Sequence, residues 1–190
     1  MSIMTNEEDL LLLKVRLCAL LHDIGKPLCW ALKKSWSHHV EFGMNILEYT
    51  FGKEIAKTAV SHHTTGSYAS FFHPSTKAER TISVADHIAS GADRNRHEEP
   101  TYDGVIPSLP VVMEHVLSNK KTIMYQTDVE ELISFTEGFK KRFRGAPVDN
   151  KTFNQVFDYL ARPKSVLKRI PADTRHPYND ISLFDHLRLT

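Results

Sequence analysis

One stretch governs how this chain can fold. Residues 10–21 read Leu-Leu-Leu-Leu-Lys-Val-Arg-Leu-Cys-Ala-Leu-Leu, and the run passes straight into His22-Asp23. Thr5-Asn6-Glu7-Glu8 has the spacing of a capping box, so a helix is expected over residues 7–23. Gly25 is expected to end it in a left-handed conformation and Pro27 to stop it. A helix apolar on nearly every face belongs at the centre of a globule. It does not cross a membrane, because Lys14 and Arg16 interrupt a run shorter than the roughly 20 residues a span needs. Such a helix ends on an imidazole and a carboxylate, groups that need partners when buried.

The rest of the chain is ordinary in bulk. Its 190 residues suit one domain, or one domain with an appendage. With 41% hydrophobic and 25% charged residues, the chain can bury a core without a disulfide or structural metal. Cys18 and Cys29 read as two reduced thiols of a cytoplasmic protein. The first residues are polar to acidic, unlike a signal peptide. The net charge of +1 excludes global attraction to nucleic acid or membrane and leaves only local patches. Eleven histidines are the compositional oddity.

Further helices are expected at residues 37–49, 53–63, 76–90, 127–144 and 150–160, with a last one starting at 181. Val40, Met44, Leu47 and Phe51 form one apolar stripe, and Gly52 and Gly91 read as terminators. Thr76 and Glu79 repeat the capping-box spacing. Residues 64–75 read as loop. Residues 93–110 are a polar connection broken by Pro100, Gly104, Pro107 and Pro110. Residues 111–126 read equally as helix or strand. The expected fold is therefore mostly α, with a small β element in the middle. The last helix stops in mid-pattern at Thr190, which reads as a fragment of a longer polypeptide.

Chemistry concentrates in a few residues: His22-Asp23, His39, His62-His63 and Asp86 within Ile82-Ser83-Val84-Ala85-Asp86. Singly, each has a bland reading, such as a histidine favoured at a helix C-terminus or an aspartate in a turn. Together, buried carboxylates call for a cation, and imidazoles would complete its shell. That ligand set suits Mn²⁺, Fe²⁺, Ni²⁺, Co²⁺ or Zn²⁺ better than Ca²⁺, and two cysteines are too few for a thiolate site.

These residues resemble the signature of the HD superfamily of metal-dependent phosphohydrolases. Leu-Leu-His22-Asp23-Ile-Gly-Lys26 is similar to its central motif. His39-Val-Glu-Phe-Gly43, His62-His63 and Ile82 to Asp86 follow in the family's order over roughly the first 90 residues. The family also carries a histidine on a preceding helix, and no histidine precedes His22. The C-terminal Ile181-Ser-Leu-Phe-Asp-His186-Leu-Arg-Leu-Thr190 offers one instead. That order resembles a circularly permuted HD domain, like the N-terminal nuclease domain of the large subunit of type III CRISPR effector complexes. Asp86-His-Ile-Ala-Ser-Gly-Ala-Asp-Arg94 and Asp173-Thr-Arg-His-Pro177 are similar to stretches there. Residues 97–170 match poorly, and the polymerase-like palm domains of that subunit are absent from this sequence.

The resemblance implies a helical HD bundle over residues 1–190. Residues 1–92 would be its core, 93–126 a connection, and 127–190 additional helices carrying the permuted ligand helix at 181–190. It implies two divalent metals, Mn²⁺ before the others. One would take His22, Asp23, Asp86 and His186, the other His39, His62 and His63, with Asp23 bridging. Phosphodiester hydrolysis needs an activated water and charge neutralisation, which two metals about 3.5–4 Å apart provide. The implied catalytic set is His22, Asp23 and Lys26. Lys26 reads equally as a phosphate contact or as a cation at a helix end. Arg94 and Arg96 are the expected strand contacts.

His39 is chosen over His38 from the glycine spacing, since adjacent residues point about 100° apart. His87 reads as a helix-surface residue in preference to a metal-site support. His73, His97, His115 and His176 read as surface or loop. The clusters Lys140, Lys141, Arg142, Arg144 (with Phe139 and Phe143) and Lys164, Lys168, Arg169 suit single strands in principle, but read better as solvated helix ends over core phenylalanines. The implied partners are single-stranded DNA, other subunits of an RNA-guided complex and further domains of the same polypeptide, with no membrane. The alternatives are an HD phosphohydrolase acting on nucleotides or cyclic dinucleotides, and a non-catalytic HD bundle used for protein contacts.

Overall fold

The computed structural model describes residues 6–34, 36–64, 72–93, 112–114, 121–123, 128–172 and 181–190. Within them the chain is mostly helical. Helix α1 (Asn6–Leu21) leads through a turn to the short α2 (Lys26–Ala31), and a 3-10 turn (Trp36–His38) feeds α3 (His39–Phe51). Then come α4 (Lys53–Val60) and α5 (Lys77–Asp93). Strands β1 (Val112–Glu114) and β2 (Lys121–Ile123) pair antiparallel, with Met113 opposite Thr122, which resolves the ambiguous middle as a small β element. Helices α6 (Val129–Phe143) and α7 (Asn150–Ala161), a 3-10 turn (Val166–Lys168) and α8 (Leu183–Leu189) complete the order.

Caps explain where several of these helices begin. Asp128 accepts from the Glu131 N–H at 2.6 Å and Asp149 from the Thr152 N–H at 2.7 Å. Thr76 and Glu79 form the expected capping box, with the Thr76 N–H donating to Glu79 Oε2 at 2.8 Å and the Glu79 N–H to Thr76 Oγ1 at 3.2 Å. Ser182 starts α8 the same way, accepting from the Asp185 N–H at 3.1 Å. Each cap gives an acceptor to a first-turn N–H that the helix itself leaves unpaired. Gly52, at φ +87°, lets the chain leave α3 and enter α4 with no other residue between.

Four expectations are corrected. Gly25 is not a left-handed terminator: its φ is −78°, and it caps the N-terminus of α2. Pro27 does not stop a helix but opens one, since its missing N–H costs nothing in a first turn. Gly91 lies inside α5, which runs on to Asp93, because glycine tolerates the helical backbone at about 1 kcal/mol relative to alanine. And α1 is not central along its whole length. Leu10, Leu11 and Leu12 are half exposed, whereas Leu17, Cys18 and Leu21 are buried. Its partners are met further along the helix: Lys14 pairs with Glu54, Arg16 lies over the Phe153 ring, and the Cys18 thiol donates to the Ile55 carbonyl. The capping box proposed at Thr5 lies outside the described residues.

One hydrophobic cluster joins Leu17, Leu21, Ile46, Leu47 and Ile82 to Phe139, Leu160, Leu167 and Leu183. At its far end Phe51, Phe139, Phe143 and Tyr159 pack ring against ring. Phe139 and Phe143 are thus core residues, and Lys140 pairs with Glu137, so that basic cluster is the outer face of a buried helix end. Helix α8 is held by an antiparallel bridge between Pro171 and Ser182, with the Ala172 N–H donating to the Ile181 carbonyl and the Leu183 N–H to the Ile170 carbonyl. Cys18 and Cys29 are buried and form no disulfide. Among the described residues no helix is long and apolar enough to cross a membrane.

Candidate metal centre

The last carbonyls of α1 leave the helix at His22-Asp23, and the turn that follows presses on the first turn of α3. A Cβ placed on Gly25 would sit 2.0 Å from the His39 carbonyl oxygen and 2.5 Å from the Gly43 nitrogen. Only glycine permits that backbone approach. The contact brings His39 to Asp23, with Nε2 3.1 Å from Asp23 Oδ1.

His62 and His63 lie just beyond α4, in the turn that follows Val60, and not within a helix as expected. His62 Nε2 is 3.7 Å from Asp23 Oδ1, and His63 Nε2 is 3.0 Å from His39 Nε2. On the other side, Asp86 from α5 meets His22 at 3.6 Å and His186 from α8 at 3.2 Å. His186 Nε2 also lies 3.3 Å from His22 Nε2 and 3.6 Å from Asp23 Oδ2. All seven residues proposed as ligands therefore converge. They fall into three sets, each with ligand atoms within 4.8 Å of one another: His39, His62 and His63; His22, Asp23 and His62; His22, Asp86 and His186.

The ring orientations are fixed from behind. His22 Nδ1 is 2.8 Å from the Ala19 carbonyl and His62 Nδ1 is 3.0 Å from the Ala59 carbonyl. A carbonyl only accepts, so each Nδ1 carries a proton and each Nε2 turns its lone pair inward when the ring is neutral. That is how histidines are set for metals. Among the described residues, two buried atoms in the middle, Asp23 Oδ1 and His62 Nε2, have no hydrogen-bond partner. Buried acceptors without donors are costly. A divalent cation satisfies both, so the side chains fit the group.

Electrostatics agree with a site short of positive charge. Burial opposes a charged His22, but the Asp23 and Asp86 carboxylates outweigh it and push its pKa up to about 10. Burial, with charge on His22 and His63, holds His62 well below the ordinary imidazole range. Burial and His39 bring His63 down to about 4. Burial also lowers His186, against its bond to Asp86. Against their own burial, Asp23 is held low chiefly by Lys26 and His22, and Asp86 by bonds from His186 and His22.

Lys26 is not a cation at a helix C-terminus, since it opens α2; its ammonium lies 2.6 Å from Asp23 Oδ2 and donates to the Ala172 carbonyl at 2.8 Å. His87 is exposed and its Nδ1 sits on its own helix's Ser83 carbonyl at 2.6 Å, as a surface residue would. His73 is exposed too. Arg94 and Arg96, like His97, His115 and His176, lie outside the described residues.

Two residues near the centre escape a reading of titratable groups alone. Ser83 donates to the His62 carbonyl at 2.6 Å, and Ser90 to Asp86 Oδ1 at 3.2 Å. Their positions three before and four after Asp86 are the signal that finds them, because such residues share one helical face.

No curated protein and no solved structure matches the chain. Residues 2–94, just under half of it, match the family described as the HD domain. HD domains are generally metal-dependent hydrolases, and the matched segment contains every residue of the cluster except His186.

Proposed function

We propose that the chain is a metal-dependent phosphodiesterase that cleaves single-stranded DNA, as the HD nuclease domain of a type III CRISPR large subunit. The observation that carries this reading is His186. A residue 164 positions downstream of His22 puts its Nε2 within 3.3 Å of the His22 ring and 3.2 Å of Asp86, where the family's ordinary order would use a histidine before His-Asp. That supports a permuted HD order, and the permuted order resembles that subunit.

In this reading His22, Asp23, Asp86 and His186 would hold one divalent metal and His39, His62 and His63 a second, with Asp23 within reach of both sets of side chains. Bound there, divalent cations lower the pKa of water and neutralise phosphoryl oxygens. The chain's own residues do the rest. Backbone carbonyls of Ala19 and Ala59 keep the His22 and His62 lone pairs inward. Lys26 spends two of its three donors on Asp23 and Ala172 and offers the third to a phosphate. Arg94 and Arg96 are the proposed strand contacts. Other subunits of an RNA-guided complex and further domains of the same polypeptide are the proposed partners.

The test is hydrolysis with Mn²⁺ of a single-stranded DNA oligonucleotide beside mononucleotides and cyclic dinucleotides. The nuclease reading expects the oligonucleotide to be degraded and His22→Ala with Asp23→Ala to abolish it. Turnover of nucleotides alone would replace it with a nucleotide phosphohydrolase. No turnover of any substrate would leave a bundle used for protein contacts.

A further inference from the structure

Lys26 ties together two parts of the molecule that nothing in the first 94 residues requires to meet. One N–H contact is to Asp23, at the hub of the cluster, and the other is to the Ala172 carbonyl, 146 residues away. Ala172 is no arbitrary acceptor. Its N–H donates to the Ile181 carbonyl at 2.8 Å, and beside it the Leu183 N–H donates to the Ile170 carbonyl at 2.9 Å. These bonds form the short antiparallel pairing from which α8 departs, and α8 carries His186. The dipole does not explain a lysine here, because the first residue of a helix is where a cation is least favoured. The carboxylate and the carbonyl are what hold it, on a side chain only 15% exposed.

We propose that Lys26 is a positioning residue that couples Asp23 to the seating of the C-terminal helix, so that His186 stays in register with His22 and Asp86. The bland alternative is that Lys26 only neutralises Asp23. The two differ in what happens at α8, some distance in sequence from either group. The consequence for metal rests on the metal reading above, but the coupling itself is a property of the metal-free protein.

The test is amide hydrogen exchange on the chelator-treated full chain, comparing wild type with Lys26→Met, Lys26→Gln and Lys26→Arg. Coupling expects exchange at residues 170–172 and 181–189 to rise about tenfold or more in the Met variant, the scale of a lost charge-assisted bond. It expects α3 and α4 to be unmoved and Lys26→Arg to stay near wild type. If Lys26→Met does not fold, Lys26→Gln decides the matter by the same comparison. Unchanged exchange at 181–189 in a folded variant overturns the coupling and leaves the metal reading standing. In a second arm, calorimetric titration with Mn²⁺ should show weaker binding in Lys26→Met and recovery in Lys26→Arg. Absence of Mn²⁺ binding in wild type would end the metal reading and leave the exchange result untouched.

Discussion

The two sides of the histidine cluster are built in different ways. His39, His62 and His63 come from adjacent elements, the start of α3 and the turn after α4, and their furthest members are 24 residues apart. Helices α3 and α4 share a single glycine junction, so folding one hairpin assembles this side. His22, Asp86 and His186 come from three parts of the chain spread over 164 residues, and the last arrives on a seven-residue helix that follows an antiparallel bridge and buries Leu183, Phe184 and Leu187 in the core. Near side and far side meet at Asp23, whose Oδ1 faces His39 and His62 and whose Oδ2 faces His22 and His186. The difference teaches that a site can be half local and half tertiary, and that the halves should fail separately.

The largest break is at the hub. Asp23→Asn keeps the shape of the side chain but removes the charge both sides share. Metal binding at both sides and hydrolysis should fall below detection, with the helical signal in circular dichroism retained. Loss of only one metal would show that the two sides do not depend on a common carboxylate.

Gly25→Ala attacks the near side through the backbone. Its Cβ would meet the His39 carbonyl oxygen at 2.0 Å, and backbone cannot rotate away as a side chain can. Stability should drop by at least about 3 kcal/mol, the upper range for overpacking, read from the denaturant midpoint. His186→Ala, by contrast, should spare the fold's near side. The far side should lose its metal while His39, His62 and His63 keep theirs, so calorimetric Mn²⁺ stoichiometry falls and does not vanish.

The near side was legible in the sequence because local spacing carried it. His39 and Gly43 lie one turn apart and His62-His63 are consecutive; on the far side local spacing went only as far as the capping box at Thr76, which sets the start of the helix that carries Asp86. The far side needed His186, which the residue pattern alone leaves as one histidine among eleven; the family resemblance pointed to it. The misread parts share a cause. Gly25 and Pro27 have the composition of a helix stop, yet serve a close helix-to-turn approach and a first helical turn, and both uses depend on what lies across the contact. The exposed leucines of α1 fail for the same reason, since periodicity says which residues are apolar and not which of them a neighbour reaches.

Protonation separates the sides in the metal-free protein. His63 is brought down to about 4 from 6.5, chiefly by burial. Below about pH 6.5 the unfolded chain takes up a proton that the folded one refuses, so stability falls as pH drops from 6.5 toward 4. His22 is raised to about 10, against burial, by Asp23 and Asp86. Its contribution is fully present below 6.5 and is lost as pH rises toward 10. Melting temperature with chelator present should therefore fall on both flanks, and His63→Gln should make the acid flank shallower without removing it, since His62 and His186 are also held low, and should leave the alkaline flank unchanged. An unchanged acid flank in that variant would assign the loss to other groups.

The smallest effects come from the two serines on α5, one for each side. Ser83 and Ser90 are seven residues apart, close to two full turns, and so flank Asp86 on a single face. Ser83 holds the backbone of His62, on the near side, while Ser90 donates to Asp86, on the far side. A donor to a ligating carboxylate restricts its orientation and tunes its basicity, so Ser90→Ala should weaken Mn²⁺ binding by about tenfold, the lower end for such supports. The loss belongs to the far side and should disappear in the His186→Ala background, where that side has already failed. Ser83→Ala should act on the near side and remain additive with His186→Ala. If both serine variants behaved alike in that background, the sides would be one cooperative unit, and the division drawn from their assembly would be wrong.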